Sequence, residues 1–246
     1  MTTRVVLGLG NPGVKYASTR HNIGFLSVEA LAAAAETAFE AHARIPALVA
    51  SWRAGGIRWL AVKPVTFMNL SGQAAAALMN FWKVPLDALL VVADDVELKP
   101  GAMRLRPSGS DGGHHGLESV IEHLGTKLFA RLRLGIGRPP PDASAPLADW
   151  LLRPFSSSEL PWMRELVTRS VLAVETWARQ GAPAAMNLFN AAPLAGGARR
   201  ETMTHERPAD KDTDLRRPLH PQQRRQGGER PGNDRETGKR HPESGG

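Results

Sequence analysis

Six consecutive apolar residues, Ala88-Leu89-Leu90-Val91-Val92-Ala93, run directly into Asp94-Asp95. A run this short, with no polar position on either side, reads as a strand covered on both faces, because a half-exposed strand would alternate. Two acidic groups therefore stand at the carboxyl end of a central strand. The neighbouring segments have the elements to build around it. Arg4 to Leu9 reads as a second buried strand, and Leu26 to Ala43 is an Ala-rich helical stretch. Leu48 to Trp52 and Ile57 to Val62 flank the turn Ala54-Gly55-Gly56 as a hairpin, and Ala74 to Trp82 is helical. Ala102 to Arg106 alternates, Gly116 to Leu124 is helical, and Arg131 to Ile136 alternates again before the Pro-rich break at Arg138 to Pro141. Glu159 to Gly181 closes the series with apolar residues at helical spacing, among them Leu160, Met163, Leu166, Val167, Val171, Val174 and Trp177. Strands alternating with helices describe an α/β domain.

After Pro193 the aromatic residues stop and Arg, Glu, Asp, Gly, Pro and Gln dominate. Such a stretch buries too little apolar surface to offset chain entropy. The division expected is a folded domain over 1–194 and a disordered charged tail over 195–246.

With no cysteine, the chain has no disulfide, thiolate nucleophile or zinc-thiolate site. A nucleophile must then be Ser, Thr, Lys, a carboxylate or activated water. No run approaches the length of a membrane-spanning helix and the start carries no signal-peptide pattern, so a cytoplasmic protein without a membrane partner is expected. The net charge of +7 favours an anionic partner. Monomer is the default assembly.

Gly8-Leu9-Gly10-Asn11-Pro12-Gly13 follows a strand and matches the dinucleotide-binding glycine pattern letter for letter. The match fits poorly. That fingerprint needs its third glycine in the first turn of a helix and an acidic residue at the end of the next strand. Here Pro12 to Tyr16 looks like a turn and Glu36 falls in the Ala-rich stretch. A tight turn that projects Asn11 at the strand's carboxyl end is the better reading.

His21 lies in the polar loop Ala17 to Gly24, where an isolated histidine is ordinarily a solvated surface group. Two further polar clusters also stand at element ends, Phe67-Met68-Asn69-Leu70-Ser71-Gly72 before a helix and Asp94-Asp95 after a strand. If the sheet brings these ends together, an imidazole, a carboxylate and carboxamides converge. A neutral imidazole can take a proton from water, and a carboxylate on its other nitrogen selects the tautomer. Asp94 suits that task, with Asp95 as the alternative one residue on. Facing sides alternate along a strand, so only one of them can point at His21. Asn69 has a competing role as a helix N-cap.

These clusters, in this order, resemble the bacterial-type peptidyl-tRNA hydrolase family. The matching stretches are Gly8 to Gly13 with Tyr16, Thr19-Arg20-His21-Asn22-Ile23-Gly24, Pro64 to Gly72, Asp94 with Leu98 and Pro100-Gly101, Gly112-Gly113-His114-His115-Gly116-Leu117, and Phe129 to Pro139. They span nearly all of residues 3–190. The resemblance implies a mixed twisted sheet between helices in a single three-layer domain. It implies hydrolysis of the ester joining a peptide to the terminal ribose of tRNA, with no metal or organic cofactor and no DNA partner. His21 is then the general base, Asp94 its orienting carboxylate, and Asn11 the residue that distinguishes a blocked amino group from a free one. Tyr16, Phe67, Met68 and Asn69 line the site for the tRNA terminus and the first peptide units. Two positions depart from the family's pattern: His115 stands where Asn is usual, and Ala93 where many relatives carry His.

Arg104 and Arg106 are two apart in one alternating segment, and Arg131 and Arg133 in another, so each pair shares a strand face. Two such strands would gather guanidiniums able to grip phosphate in pairs. With the resemblance, Arg104, Arg106 and Arg133 become candidate tRNA contacts. His114 and His123 read as structural or surface groups, and Trp52, Trp59 and Trp82 as core rather than base-stacking platforms. A non-catalytic RNA-binding protein on the same fold is the rival from another class.

Overall fold

In the computed structural model, which describes residues 2–140 and 146–191, β5 (Leu89–Asp95) is buried along its whole length in the interior of a seven-stranded sheet. The other strands are β1 (Thr2–Gly8), β2 (Glu40–Ala41), β3 (Ala47–Ala54), β4 (Ile57–Pro64), β6 (Met103–Arg106) and β7 (Ala130–Gly135). Their order is β2-β3-β4-β1-β5-β7-β6. The central strands β4, β1, β5 and β7 are parallel, while β2, β3 and β6 add antiparallel edges. The sheet is mixed, as the family resemblance implied.

Side-chain alternation sends each strand's apolar residues to opposite cores. Val6, Leu90, Val92, Leu132 and Leu134 pack with α1 (Ile23–Ala34) and α5 (Leu160–Gln180), through Val28, Leu31, Leu166, Val174 and Trp177. Val5, Leu7, Leu89, Val91 and Ala93 pack on the other face with Leu78 and Met79 of α2 (Ser71–Trp82) and Leu117 and Val120 of α3 (His115–Leu124). Two short helices, α4 (Leu147–Leu151) and α6 (Ala182–Phe189), complete the set. Three layers result, and the carboxyl ends of the parallel strands open at one edge. The three tryptophans fall as expected: Trp59 is buried, stacked on Trp52, and Trp82 packs against the second core.

The Ala-rich helix stops earlier than its composition suggests. Glu36 takes a left-handed conformation (φ 51°), and the bonds Glu36 N–H to Ala33 O and Thr37 N–H to Ala32 O close a Schellman end. The chain must reverse there so that Glu40–Ala41 can pair with β3. The pairing is tertiary, so residues 37–43 leave the helix despite their composition. The tail expected over 195–246 lies outside the described residues.

Gly8, Gly10 and Gly24 explain the glycine pattern without a nucleotide. A Cβ at Gly8 would stand 2.4 Å from the Gly24 carbonyl oxygen, and one at Gly10 would strike the Phe25 ring at 2.7 Å. These glycines let the start of α1 press onto the end of β1. No α-helix opens at Gly13; a single 3-10 turn, Val14–Tyr16, follows it.

Candidate active site

His21 sits in a 3-10 turn (Arg20–Asn22) whose end becomes the first residue of α1, so its backbone is held by a helix docked on the sheet. Its Nδ1 lies 2.8 Å from Asp94 Oδ1, and both side chains are buried. Strand alternation settles the choice between the two acidic residues. Asp95 points away from His21, placing Oδ2 2.9 Å from Arg133 Nε while its Oδ1 accepts the Glu97 N–H at 2.8 Å.

A third ring joins the pair. His114 Nε2 lies 3.0 Å from the same Asp94 Oδ1, and the two imidazole centroids are 5.0 Å apart. His114 is the N-cap of α3, its Nδ1 accepting the Gly116 and Leu117 N–H groups at 3.1 and 3.2 Å. An Nδ1 that accepts leaves the proton on Nε2, so His114 donates to Asp94. The nitrogens and carboxylate of His21, Asp94 and His114 lie within 4.8 Å of one another, a spacing that could hold a metal. The His114 tautomer opposes that use, because its Nε2 presents a hydrogen and no lone pair. Of the two readings of His114, structural or surface, the surface one is corrected: the ring is buried beside His21 and caps α3. Helix caps are ordinarily Ser, Thr, Asp or Asn, so a capping histidine has no signal in a single sequence.

Asp94 therefore receives two N–H donors. Burial works to raise its carboxyl pKa, but the His21 and His114 charges and hydrogen bonds outweigh it and hold the group well below the usual carboxylate range. Burial works to lower the His21 pKa, and Asp94's charge and hydrogen bond reverse that, leaving it above its ordinary 6.5. With Nδ1–H donated to Asp94, the Nε2 of neutral His21 keeps its lone pair.

Asn11 is fixed on both sides. Its backbone N–H donates to Asn22 Oδ1 at 2.8 Å and its carbonyl accepts from Asn22 Nδ2 at 2.9 Å. Its own Oδ1 accepts the Met68 N–H at 2.8 Å, which leaves the Nδ2 hydrogens as donors. Asn22 is a positioning residue that sequence reasoning left without a role. Asn69 is exposed and does not cap α2; the cap position is Leu70, with no side-chain bond.

These groups line a cavity of about 620 Å³. Asn11, His21, Phe67, Met68, Asn69, Asp94, His114, His115 and Arg133 all face it. His115 stands on its rim, three-quarters exposed, with Nδ1 3.2 Å from Glu118 Oε2. Leu147, Ala148, Leu151 and Leu152, from α4 and its C-terminal end, form an apolar wall that sequence reasoning missed, because five residues are too few to show helical spacing. Tyr16 is not among the lining residues; it is half-buried in the preceding turn, its carbonyl accepting from Thr19.

The basic pairs meet as expected in register, Arg104 opposite Arg133 and Arg106 opposite Arg131, but they do not share one role. Arg131 is buried and donates to the carbonyls of Gly109, Ser110, Lys127 and Phe129, pinning the loop that leads to His114. Arg104 and Arg106 are exposed on the edge strand, and Arg133, opposite Arg104, lines the cavity.

The model of the family described as peptidyl-tRNA hydrolase matches residues 5–196. A peptidyl-tRNA hydrolase of Syntrophomonas wolfei is 46% identical over 187 residues, covering 76% of this chain and all of that one. One of Gloeobacter violaceus is 42% identical over 191 residues, covering 78% of this chain and 96% of that one. Among solved structures, the peptidyl-tRNA hydrolase of Acinetobacter baumannii superimposes with a TM-score of 0.72 at 32% identity, covering 77% of this chain and 95% of that one.

Proposed function

Because this chain belongs to the peptidyl-tRNA hydrolase family, we propose that its cavity binds the ester end of peptidyl-tRNA and that His21, held by Asp94, activates the water that cleaves it. The reaction is hydrolysis of the ester between peptide and tRNA. The observation that carries the residue assignment is the 2.8 Å contact between His21 Nδ1 and Asp94 Oδ1 at the cavity floor.

In this reading Nε2 of His21 takes a proton as the water oxygen attacks the ester carbonyl. Asp94 stabilises the imidazolium that forms, and His114 holds Asp94. The Asn11 Nδ2 hydrogens, aimed by the Met68 bond, and the exposed amide of Asn69 supply donors for the substrate carbonyls. The ester C–O bond to the ribose then breaks, and the proton passes from His21 to the departing hydroxyl oxygen. Peptide carboxylate and free tRNA leave. Phe67, Met68 and His115 contact the tRNA terminus and first peptide units, with Tyr16 at the margin. Asn11 donates to the peptide-side amide and so separates a blocked from a free amino group. The protein acts as a cytoplasmic monomer in this reading.

The assay is release of peptide from N-acetylaminoacyl-tRNA, with free aminoacyl-tRNA as the comparison. Fast release from the first and slow release from the second is the expected result. An inactive wild type that still binds tRNA would overturn hydrolysis in favour of RNA binding alone.

Arg104 and Arg106 are exposed on the edge strand and Arg133, opposite Arg104, lines the cavity, so the three can hold tRNA phosphates along that side. Arg106→Ala and Arg133→Ala should each weaken tRNA binding and lower the salt slope by about one unit per lost phosphate contact. Unchanged slopes in both would remove these residues from the interface.

A further inference from the structure

Arg20, immediately before His21, is almost fully buried, and its guanidinium spends its contacts on one distant segment. Nη1 donates to the carbonyls of Arg153 and Pro154 at 3.1 and 2.9 Å, and Nη2 pairs with Glu159 Oε2 at 2.5 Å. The guanidinium carbon lies 3.7 Å from the centroid of the Trp150 ring. The backbones join as well: Thr19 bridges Pro154, the Arg20 N–H donates to Arg153 O at 3.2 Å, and the Phe155 N–H donates to Ser18 O at 3.2 Å. Trp150 in turn donates Nε1–H to Gly137 O at 3.3 Å, just past β7.

The segment so held is the one whose Leu147, Ala148, Leu151 and Leu152 line the cavity together with the polar residues. α4 is too short to hold its place by helix propensity, and none of its residues is fully buried. Something else must fix it. Arg20 provides a charge, a planar face and a fork of donors at once, a combination lysine lacks. From this we infer that Arg20 is a positioning residue, clamping the α4 wall of the cavity to the His21 loop so that the substrate's apolar part is held against the catalytic pair. The inference rests on the proposed reaction and adds to it a determinant of substrate binding.

The clamp acts on binding more than on the proton transfer, so its loss should show chiefly in KM. With N-acetyl-phenylalanyl-tRNA, Arg20→Lys and Trp150→Ala should each raise KM roughly tenfold, while kcat changes less. Because both changes open the same clamp, the double variant should be no worse than the more damaged single one. Trp150→Phe keeps a ring under the guanidinium and should recover most of the loss, which gives a readout if Arg20→Lys folds badly. The acid limb of the pH profile should not move in Trp150→Ala. Effects that multiply in the double variant, or a KM unchanged in Trp150→Ala, would overturn the clamp. A wild type that releases no peptide would instead sink the proposed reaction, so the two failures are distinguishable.

Discussion

His21→Ala is expected to slow peptide release by on the order of 10²–10⁴-fold, and Asp94→Asn to approach that loss, while tRNA affinity stays near wild type. In the proposed mechanism the imidazole is the base; it is buried, lines the cavity and has its Nδ1 against Asp94. An asparagine at 94 can still accept one bond but carries no charge to stabilise the imidazolium, and it can equally present its NH₂ and select the wrong tautomer. The pH dependence follows with its sign. Burial alone would lower the His21 pKa; the Asp94 charge and bond raise it above 6.5. The base form is therefore lost as pH falls through that raised value, and the wild-type rate should begin to drop above pH 6.5. In Asp94→Asn the carboxylate charge no longer opposes the lowering effect of burial, so the acid limb should move to lower pH while the plateau falls. A flat wild-type profile between pH 5 and 8 would remove His21 as the base.

The second large effect is on stability. Gly24 lies where the start of α1 crosses the end of β1 and the middle of β5, and a Cβ there would stand 2.5 Å from both the Leu9 and Val92 carbonyl oxygens and 2.7 Å from Leu9 N. These are backbone atoms of buried residues and cannot rotate away. Relief requires α1 to lift off the sheet. Overpacking of this kind costs up to about 3 kcal/mol, which at this chain size is a fall in Tm of roughly 6–12 °C. The lift also carries His21, three residues upstream, away from Asp94, so Gly24→Ala should lose kcat even at temperatures where it is folded. A thermal melt within 2 °C of wild type (roughly 1 kcal/mol or less) would show that the helix can give way, contrary to the packing described.

Much of this was legible before any coordinates. The run from Ala88 to Ala93 announced a doubly covered strand because burial on both faces erases alternation, and that strand lies inside the sheet between β1 and β7. The hairpin was legible from Gly55-Gly56, since both residues take positive φ (58° and 74°) as its tight turn demands. The helices were found where apolar spacing ran long enough. α4 and α6 escaped for want of length, and the end of α1 was misplaced because its stop depends on a strand partner brought from ten residues away.

For the site, residue types at element ends brought forward His21, Asn11, Asn69 and either Asp94 or Asp95, and the family resemblance assigned their roles. Identity alone could not say which acidic residue faces His21, that His114 donates to it, that Asn22 clamps Asn11, or that Arg131 serves a loop while its cross-strand neighbour Arg106 stands exposed. Those are facts of direction and distance between residues 11 to 73 positions apart. Local periodicity determines which residues form a strand and which side of it they take. Only the packing of α1, α3 and α4 around the strand ends decides which side chains meet there, because that packing joins groups with no local signal in common.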